Sequence, residues 1–344
     1  MAIDETEIDR TELDRNEDAF IQNVEDLIDP AEVCNLFFFQ RFRKLMPNWL
    51  FKKLLIRTSR KTPYMGFVIE PYSLFLFFKI LDVEKAKAML PDRFELVKAR
   101  VFEGDEPDYY FGIGNLNTRG STFWGVRLES YLIARDTQTG LISWIFFDIL
   151  SNTIIAIPSE GIIDPNSKNA LFTTSSKGDV YLNIQDDGSD KEIILKGNLK
   201  NGKLRRPDQP LWVMGNTSIG HVKNISTRGD DPFAVIFDPS EVGSAMDVPV
   251  KDFHLSKNTL VPDFAEKQPA IIACFPYTQH YIADSPGCRT EVRNTQDLVD
   301  HYNRLAQMKN IKTFSTKGIR RMFLASTVAW PLISLVLLTL LILK

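Results

Sequence analysis

The sequence predicts a mainly β fold with flanking helices: a curled antiparallel β-barrel, followed by one carboxyl-terminal transmembrane helix. Many short runs rich in aromatic and β-branched residues follow one another between residues 66 and 240, separated by turn residues. Near the carboxyl end, 22 residues pass without a charge. The 344 residues are 44% apolar and 25% charged, which is ordinary for a folded chain with a substantial core.

The first element is an acidic arm, residues 1–29. It holds eleven acidic residues against two arginines, whereas the whole chain has a net charge of −3. We expect a solvated tail, with a short helix at EDAFIQNVEDLID. The alternative is contact between the arm and the basic segment that follows it.

Residues 30–62 form a basic amphipathic helical segment that is broken at Pro47. Residues 41–61 carry eight basic residues and no acidic one. Aromatic and basic residues interleaved in this way are typical of a helix lying in a membrane interface. The alternative is a helix packed on the protein's own core. The predicted interfacial residues are Trp49, Lys52, Lys53 and Arg57.

The β-barrel domain is predicted over residues 63–250. Strands begin at GFVIEPYSLFLFFKIL, and a short helix follows with Asp82 as its N-cap. Further strands, one of them predicted at PLWVMGNTSIGHV, then alternate with turns such as DTQTG and KNGK. Residues 251–316 are a mixed α/β extension that completes the domain, with a helix at TQDLVDHYNRLAQMK.

Residues 317–344 are predicted to be a transmembrane tail anchor. A helix over residues 322–343 would be about 33 Å long, enough for a hydrocarbon core of about 30 Å. Arg320 and Arg321 precede the run and are predicted to lie at the interface, which places the bulk of the chain on the cytoplasmic side of a single-pass protein. The lipid bilayer is therefore an expected partner. The alternative is a buried core helix.

The segment WGVRLESYLIARDTQTGLISWIFFDIL is predicted to be a hairpin. Its first strand places Arg127, Glu129 and Tyr131 on one face by a period of two. The return strand is apolar on both faces, so both strands should be buried, and a buried arginine is costly unless it is paired. We expect Glu129 to pair with Arg127. The candidate ligand-binding residues are Arg127, Glu129, Tyr131, Trp144 and Trp212, of which Trp212 could also be core.

The order of these features resembles the acetoacetate decarboxylase-like superfamily, in its branch that shares the fold but not the activity. The resemblance covers roughly residues 66–240 and rests on KAKAMLPDRF, YYFGIGNL, GVRLESYLIA, TQTG, LISWIFFDIL and IIAIP in this order. It implies a cone-like antiparallel β-barrel around a small-molecule cavity.

One position of the resemblance argues against decarboxylation. In acetoacetate decarboxylases, a Pro-Lys-Lys run supplies the lysine that forms a Schiff base with the keto acid. Here the matching residues are Pro158, Ser159 and Glu160, and neither Ser159 nor Glu160 can form an imine. An enzyme is therefore not the favoured reading.

Composition and motifs exclude several other classes. The net charge gives no reason to expect a nucleic-acid partner, and three unpatterned cysteines fit a reducing compartment. No phosphate-binding loop is present, and His280 between Cys274 and Cys288 matches no zinc pattern. We expect no cofactor and no metal.

Three functional classes stay open from the sequence. The first is a membrane-tethered barrel that binds a small acidic or lipid-like ligand, with Arg127 as its counter-ion. The second is a structural or interaction subunit of a membrane complex, in which the barrel interior would be filled. The third is an enzyme acting on a keto acid or related carbonyl compound, with Glu129 or Glu160 as its acid or base.

Overall fold

The fold is described from a computed structural model of the chain. It describes residues 17–40, 47, 62, 64–157, 161–163, 165–213, 217–219, 233–237, 239–284, 292–312 and 315–342.

Six α-helices lie mostly at the two ends of the described chain. Their bounds are α1 Glu17–Asp26, α2 Pro30–Gln40, α3 Val83–Lys87, α4 Gln209–Trp212, α5 Thr295–Gln307 and α6 Lys317–Ile342. Asp82 caps α3, since its side chain accepts a hydrogen bond from the Lys85 amide. The sequence predictions of α3, its cap and α5 are therefore confirmed.

Eighteen strands make up most of the remaining described structure. They are β1 Tyr64–Ile69, β2 Ser73–Lys79, β3 Phe94–Leu96, β4 Tyr110–Gly120, β5 Trp124–Asp136, β6 Ile142–Ser151, β7 Ile155–Ile157, β8 Gly161–Ile163, β9 Leu171–Thr174, β10 Asp179–Gln185, β11 Glu192–Asn198, β12 Lys203–Arg205, β13 Thr217–Ile219, β14 Phe233–Phe237, β15 Ala245–Asp247, β16 Phe253–Asn258, β17 Ile271–Phe275 and β18 Gln279–Asp284. The predicted β5–β6 hairpin is confirmed.

Twelve strands form one large curled sheet in the order β12-β15-β17-β2-β4-β1-β18-β14-β13-β6-β5-β3. β4 also pairs with β5, so the sheet folds back on itself. The pairings are antiparallel except between β6 and β13. The prediction of a mainly β fold with antiparallel strands and a few helices is confirmed.

A second sheet has four strands in the order β16-β11-β10-β9. Along β10, Val180, Leu182 and Ile184 are buried and alternate with outward residues, which is the pattern of a sheet with one face on the core. These residues share one apolar core with Leu76 of β2 and Leu128 of β5. The opposite face of the large sheet has an aromatic core of its own, where the candidate site lies.

A third core joins helices α1 and α5 to the outer side of β1, β14 and β18. Phe20 of α1 is fully buried, and its ring centroid lies 4.9 Å from that of Tyr302 on α5. The expectation of a solvated arm is therefore wrong from Glu17 onward. The apolar residues of α1 recur at helical spacing and pack on the sheet, while Asp18 and Asp26 are exposed.

The segment around Trp212 is a short helix, not the strand that we expected. Asp208 precedes this helix and Pro210 lies in its first turn, where proline's fixed φ and missing N–H are tolerated. Trp212 is therefore presented from α4. The next strand is β13, and positions 214–216 before it lie outside the described residues.

Helix α6 is 26 residues long and contains Pro331. Its described large apolar side chains, from Leu324 to Ile342, are each at least 47% exposed. The side chains at 319, 322, 323, 326 and 341 are not described. Within the described part of the chain, no helix combines the length and the apolarity needed to cross a membrane.

Candidate functional site

A cavity of about 190 Å³ lies on the aromatic side of the large sheet. Side chains from β1, β2, β4, β5, β6, β14 and β18 and from helix α4 form its walls. Most of these side chains are aromatic or aliphatic, so a molecule in the cavity would exchange water for apolar contacts.

Two glycines of β4 make room for the aromatic wall. A Cβ at Gly114 would lie 2.8 Å from the ring of Phe75, and a Cβ at Gly112 would lie 3.5 Å from the ring of Phe77. The absence of side chains lets these rings lie against the β4 backbone. The Gly-Ile-Gly sequence in this strand therefore serves close packing.

Three polar side chains from β5 enter the apolar cavity in a row. Arg127, Glu129 and Tyr131 alternate along the strand and all line the cavity. A register shift between Ser130 and Tyr131 places an extra residue on β6 at this point, while Tyr131 stays on the cavity side.

Arg127 and Glu129 form an ion pair with 2.8 Å between Nη2 and Oε1, and their side chains are only 13% and 10% exposed. The predicted pairing is therefore confirmed. The guanidinium carbon also lies 4.7 Å from the centroid of the Phe123 ring, a cation–π contact. Among the described residues, the buried Nε of Arg127 has no hydrogen-bond partner.

Tyr131 donates its hydroxyl hydrogen to Oε2 of Glu129. Burial, with the negative charge of Glu129 adding to it, raises the pKa of Tyr131 well above its usual value. The phenol is therefore neutral at physiological pH and remains a donor to the carboxylate. The two oxygens of Glu129 are thus both engaged, one by Arg127 and one by Tyr131.

The two predicted tryptophans line the same cavity, with ring centroids 5.4 Å apart. The indole N–H of Trp144 donates to the Leu211 carbonyl at 3.2 Å, and that of Trp212 donates to the Val101 carbonyl at 2.8 Å. Because both polar groups are satisfied elsewhere, the rings offer the cavity apolar surface. All five candidate ligand-binding residues therefore meet at one cavity, and their binding role stays a prediction.

Sequence reasoning missed the opposite wall. Tyr281 of β18 lines the cavity and stacks on Phe67 of β1, with 4.9 Å between centroids and 3° between planes. Burial, followed by the charge of Glu241, raises the pKa of Tyr281, so its hydroxyl stays protonated. No local pattern points to Tyr281, because it reaches the cavity only through the pairing of β18 with β1.

His280, next in sequence, belongs to a separate polar cluster on the outer side of the sheet. Its Nδ1 lies 2.5 Å from Oε1 of Glu241, and its Nε2 lies 3.7 Å from Glu25 of α1. Glu25 is also paired with Arg119 of β4 at 2.8 Å. These contacts attach α1 to the sheet.

Cys274 does not join the polar cluster of His280. Cys274 is buried in the core shared with the four-stranded sheet, where burial raises its pKa to about 12, and Cys288 lies outside the described residues. Among the residues that are described, no three His, Cys, Asp or Glu side chains are grouped to hold a metal.

Several residues singled out from the sequence lie outside the described part of the chain. Pro158, Ser159 and Glu160 lie outside the described residues, as do the predicted interfacial residues Trp49, Lys52, Lys53 and Arg57. The described side chains that line the cavity include no lysine, histidine or cysteine. Those side chains therefore offer neither an amine for an imine nor a thiol nucleophile.

Comparisons with known proteins find similarity in structure only. No family model and no curated protein matches the chain. It is similar to the crystal structure of an acetoacetate decarboxylase from Legionella pneumophila subsp. pneumophila str. Philadelphia 1, with 12% identity and a TM-score of 0.40 over 64% of this chain and 85% of that one.

A second similar structure is the enduracididine biosynthesis enzyme MppR, complexed with the condensation product of pyruvate and imidazole 4-carboxaldehyde. It is 10% identical, with a TM-score of 0.35 over 64% of this chain and 86% of that one. Both similarities are too low to assign an activity to this chain.

Proposed function

We propose that this chain is a membrane-tethered protein whose curled sheet acts as a barrel that binds one small, mostly apolar molecule with an acidic or other hydrogen-bond-accepting group. The observation that carries the proposal is the mostly apolar cavity with the row of polar side chains Arg127, Glu129 and Tyr131. A few placed polar groups in a mostly apolar cavity are the usual composition of a small-molecule site.

The contacts within the polar row limit which chemical groups a ligand can place beside it. Glu129 already neutralises much of the charge of Arg127, so an acidic ligand would not meet a bare cation. The Nε–H of Arg127, which is buried and has no partner among the described residues, is one donor that such a group could satisfy. A carboxylate or carbonyl oxygen at this point would satisfy a buried polar group that is otherwise costly.

The membrane tether in this proposal is the uncharged run of α6, counted with its side chains at 322, 323, 326 and 341, which lie outside the part of the chain described above. The sequence has no charge over residues 322–343, and the described side chains of this stretch are exposed. A helix of that length reaches about 33 Å, which matches a hydrocarbon core of about 30 Å. Arg320 and Arg321 would lie in the headgroup layer on the cytoplasmic side.

The binding proposal is tested by thermal unfolding of the full chain in lipid nanodiscs. Aromatic and aliphatic carboxylic acids are compared with their methyl esters. We expect some acids to raise the unfolding temperature more than their esters do, because a ligand at about 100 times its Kd adds about 2.7 kcal/mol. The variant Arg127→Met/Glu129→Gln should abolish the difference.

A matched buried pair outside the cavity serves as the control. Nη2 of Arg93 lies 2.5 Å from Oδ2 of Asp136, and both side chains are also largely buried. Arg93→Met/Asp136→Asn should keep the response to the acids. If no acid or ester stabilises the natural protein, or if both double variants respond alike, the cavity is not the binding site.

The exposed face of α6 also supports a second candidate function, an interaction subunit of a membrane complex. Apolar side chains on a single transmembrane helix can pack on neighbouring helices as well as on lipid. Gentle extraction from the native membrane followed by size-exclusion chromatography distinguishes the two, since stoichiometric protein subunits would favour the complex.

A further inference from the structure

The short helix α2 buries its one charged residue beside the apolar Val33 and Leu36, and its exposed positions carry no charge. Glu32 is its only charged residue, and this residue is 4% exposed. The outward positions Ala31, Cys34 and Phe38 carry no charge, and Phe38 is 50% exposed. A helix at a water-facing surface normally places its charges outward.

The inward Glu32 joins α2 to the start of α6. Its carboxylate accepts hydrogen bonds from the backbone N–H and the hydroxyl of Thr316, which is fully buried. Ser315 donates to the same carboxylate at 3.2 Å, and Arg320 forms an ion pair with it, also at 3.2 Å. The first turn of α2 therefore lies beside the first turn of α6.

The charged part of α6 ends in this same region, at Arg321. Arg321 is exposed, and the uncharged run begins at the next position. If α6 spans the bilayer, the Glu32 contacts hold α2 at the headgroup layer. Lys317, Arg320 and Arg321 supply positive charge there, which favours anionic lipid.

We propose that α2 lies in the membrane interface, with its uncharged face, Ala31, Cys34 and Phe38, in contact with anionic lipid. The contacts of Glu32 with Thr316 and Arg320 set its depth. This inference rests on the proposed anchoring by α6, and it adds a second membrane contact that orients the β domain on the surface.

The test uses Cys34 as a native reporter. Cys274 is fully buried, so Cys288→Ser leaves Cys34 as the accessible thiol for a fluorescent maleimide. The labelled full chain is reconstituted into vesicles of equal parts phosphatidylcholine and phosphatidylglycerol, with and without phosphatidylcholine brominated near the headgroup. The matched control carries the label at Leu204→Cys in a Cys34→Ala/Cys288→Ser background. Leu204 is an apolar residue of edge strand β12 and is 58% exposed.

We expect several-fold stronger quenching of the probe at Cys34 than of the probe at Leu204→Cys. Ala31→Glu should reduce the quenching at Cys34, because it places a negative charge on the proposed lipid face. The substitution suits the first helical turn, where acidic residues are favourable. Ala31→Lys should not reduce it.

Two results would overturn the inference. Equal quenching at both sites, with α6 resistant to carbonate extraction, would leave the anchor standing and show that α2 stays in water. Release of the protein by carbonate would instead overturn the anchoring proposal and this inference with it. Ligand binding in the cavity is unaffected by either result.

Discussion

At the scale of single residues, the cavity is organised around the pairing of Arg127 with Glu129. The pair is buried on a central strand, where removing charged groups from water costs free energy. Tyr131 donates a hydrogen bond to the second oxygen of the carboxylate. The ion pair therefore contributes more to the chemistry of the cavity than to net stability.

Removing one member of the pair should be much worse than removing both. Arg127→Met leaves Glu129 buried without its cation, and we expect a loss of about 3–5 kcal/mol in the free energy of unfolding. Arg127→Met/Glu129→Gln should recover most of that loss. Urea titration of the two variants measures the difference, and equal losses would show that the pair is solvated.

The two glycines of β4 offer a matched comparison. At Gly114 a methyl group would lie 2.8 Å from the ring of Phe75 and should push it into the cavity, whereas at Gly112 the nearest ring atom is at an ordinary 3.5 Å. Gly114→Ala should lose about 1–3 kcal/mol and weaken ligand binding. Gly112→Ala should change both far less, as judged by urea unfolding and ligand titration. A similar effect at both positions would contradict this account of the wall.

At the scale of elements, helix α1 is part of the folded core. Its attachment has an apolar component, Phe20 on Tyr302, and a polar one, the contacts of Glu25 with Arg119 and His280. Asn23 adds a hydrogen bond of 2.8 Å to the Leu305 carbonyl at the end of α5.

Truncating the apolar anchor of α1 should therefore be costly. Phe20→Ala is expected to lose about 3–5 kcal/mol, because the side chain is fully buried and leaves a cavity. Leu171→Ala, at a residue of β9 that is 48% exposed, is the control and should lose little. Amide hydrogen exchange should show faster exchange in α1 and α5 for Phe20→Ala; unchanged exchange there would show that α1 is not docked.

The contact between α2 and α6 should weaken in acid. Burial raises the pKa of Glu32, but hydrogen bonds from Thr316 and Ser315 and the charge of Arg320 outweigh it and lower the pKa below the usual 4.5. A lowered folded-state pKa gives stability that is present above the unfolded value and is lost as the pH falls through the folded one.

This pH dependence can be measured by hydrogen exchange over residues 30–40. Protection in α2 should fall as the pH drops below 4.5, after correction for intrinsic exchange rates. Glu32→Gln should flatten that dependence because it removes the titrating group. A dependence that persists unchanged in Glu32→Gln would assign it to another carboxylate.

At the scale of the whole molecule, local pattern was enough to predict the β5–β6 hairpin and the polar row. Alternation along one strand places Arg127 and Glu129 on the same face in any sheet, so that part of the site could be read from the sequence. The far wall could not, because Tyr281 reaches it through the long-range pairing of β18 with β1.

Long-range contacts also explain the two elements that the sequence predicted wrongly, helix α1 and the segment around Trp212. The acidic character of residues 1–29 suggested a tail, but the packing partner of α1 is α5, nearly three hundred residues away in the chain. The aromatic and small residues around Trp212 suggested a strand, while Pro210 and a hydrogen bond to the Val101 carbonyl favour a helical turn. Both outcomes depend on contacts between distant segments.

The central claim is that the cavity binds a small molecule through the polar row. Native mass spectrometry of the full chain, released gently from its own membrane, tests this claim most directly. We predict a small bound mass on the natural protein that is retained in Arg93→Met/Asp136→Asn and lost in Arg127→Met/Glu129→Gln. A folded natural protein without any bound mass, or a mass retained equally by both double variants, would contradict the claim.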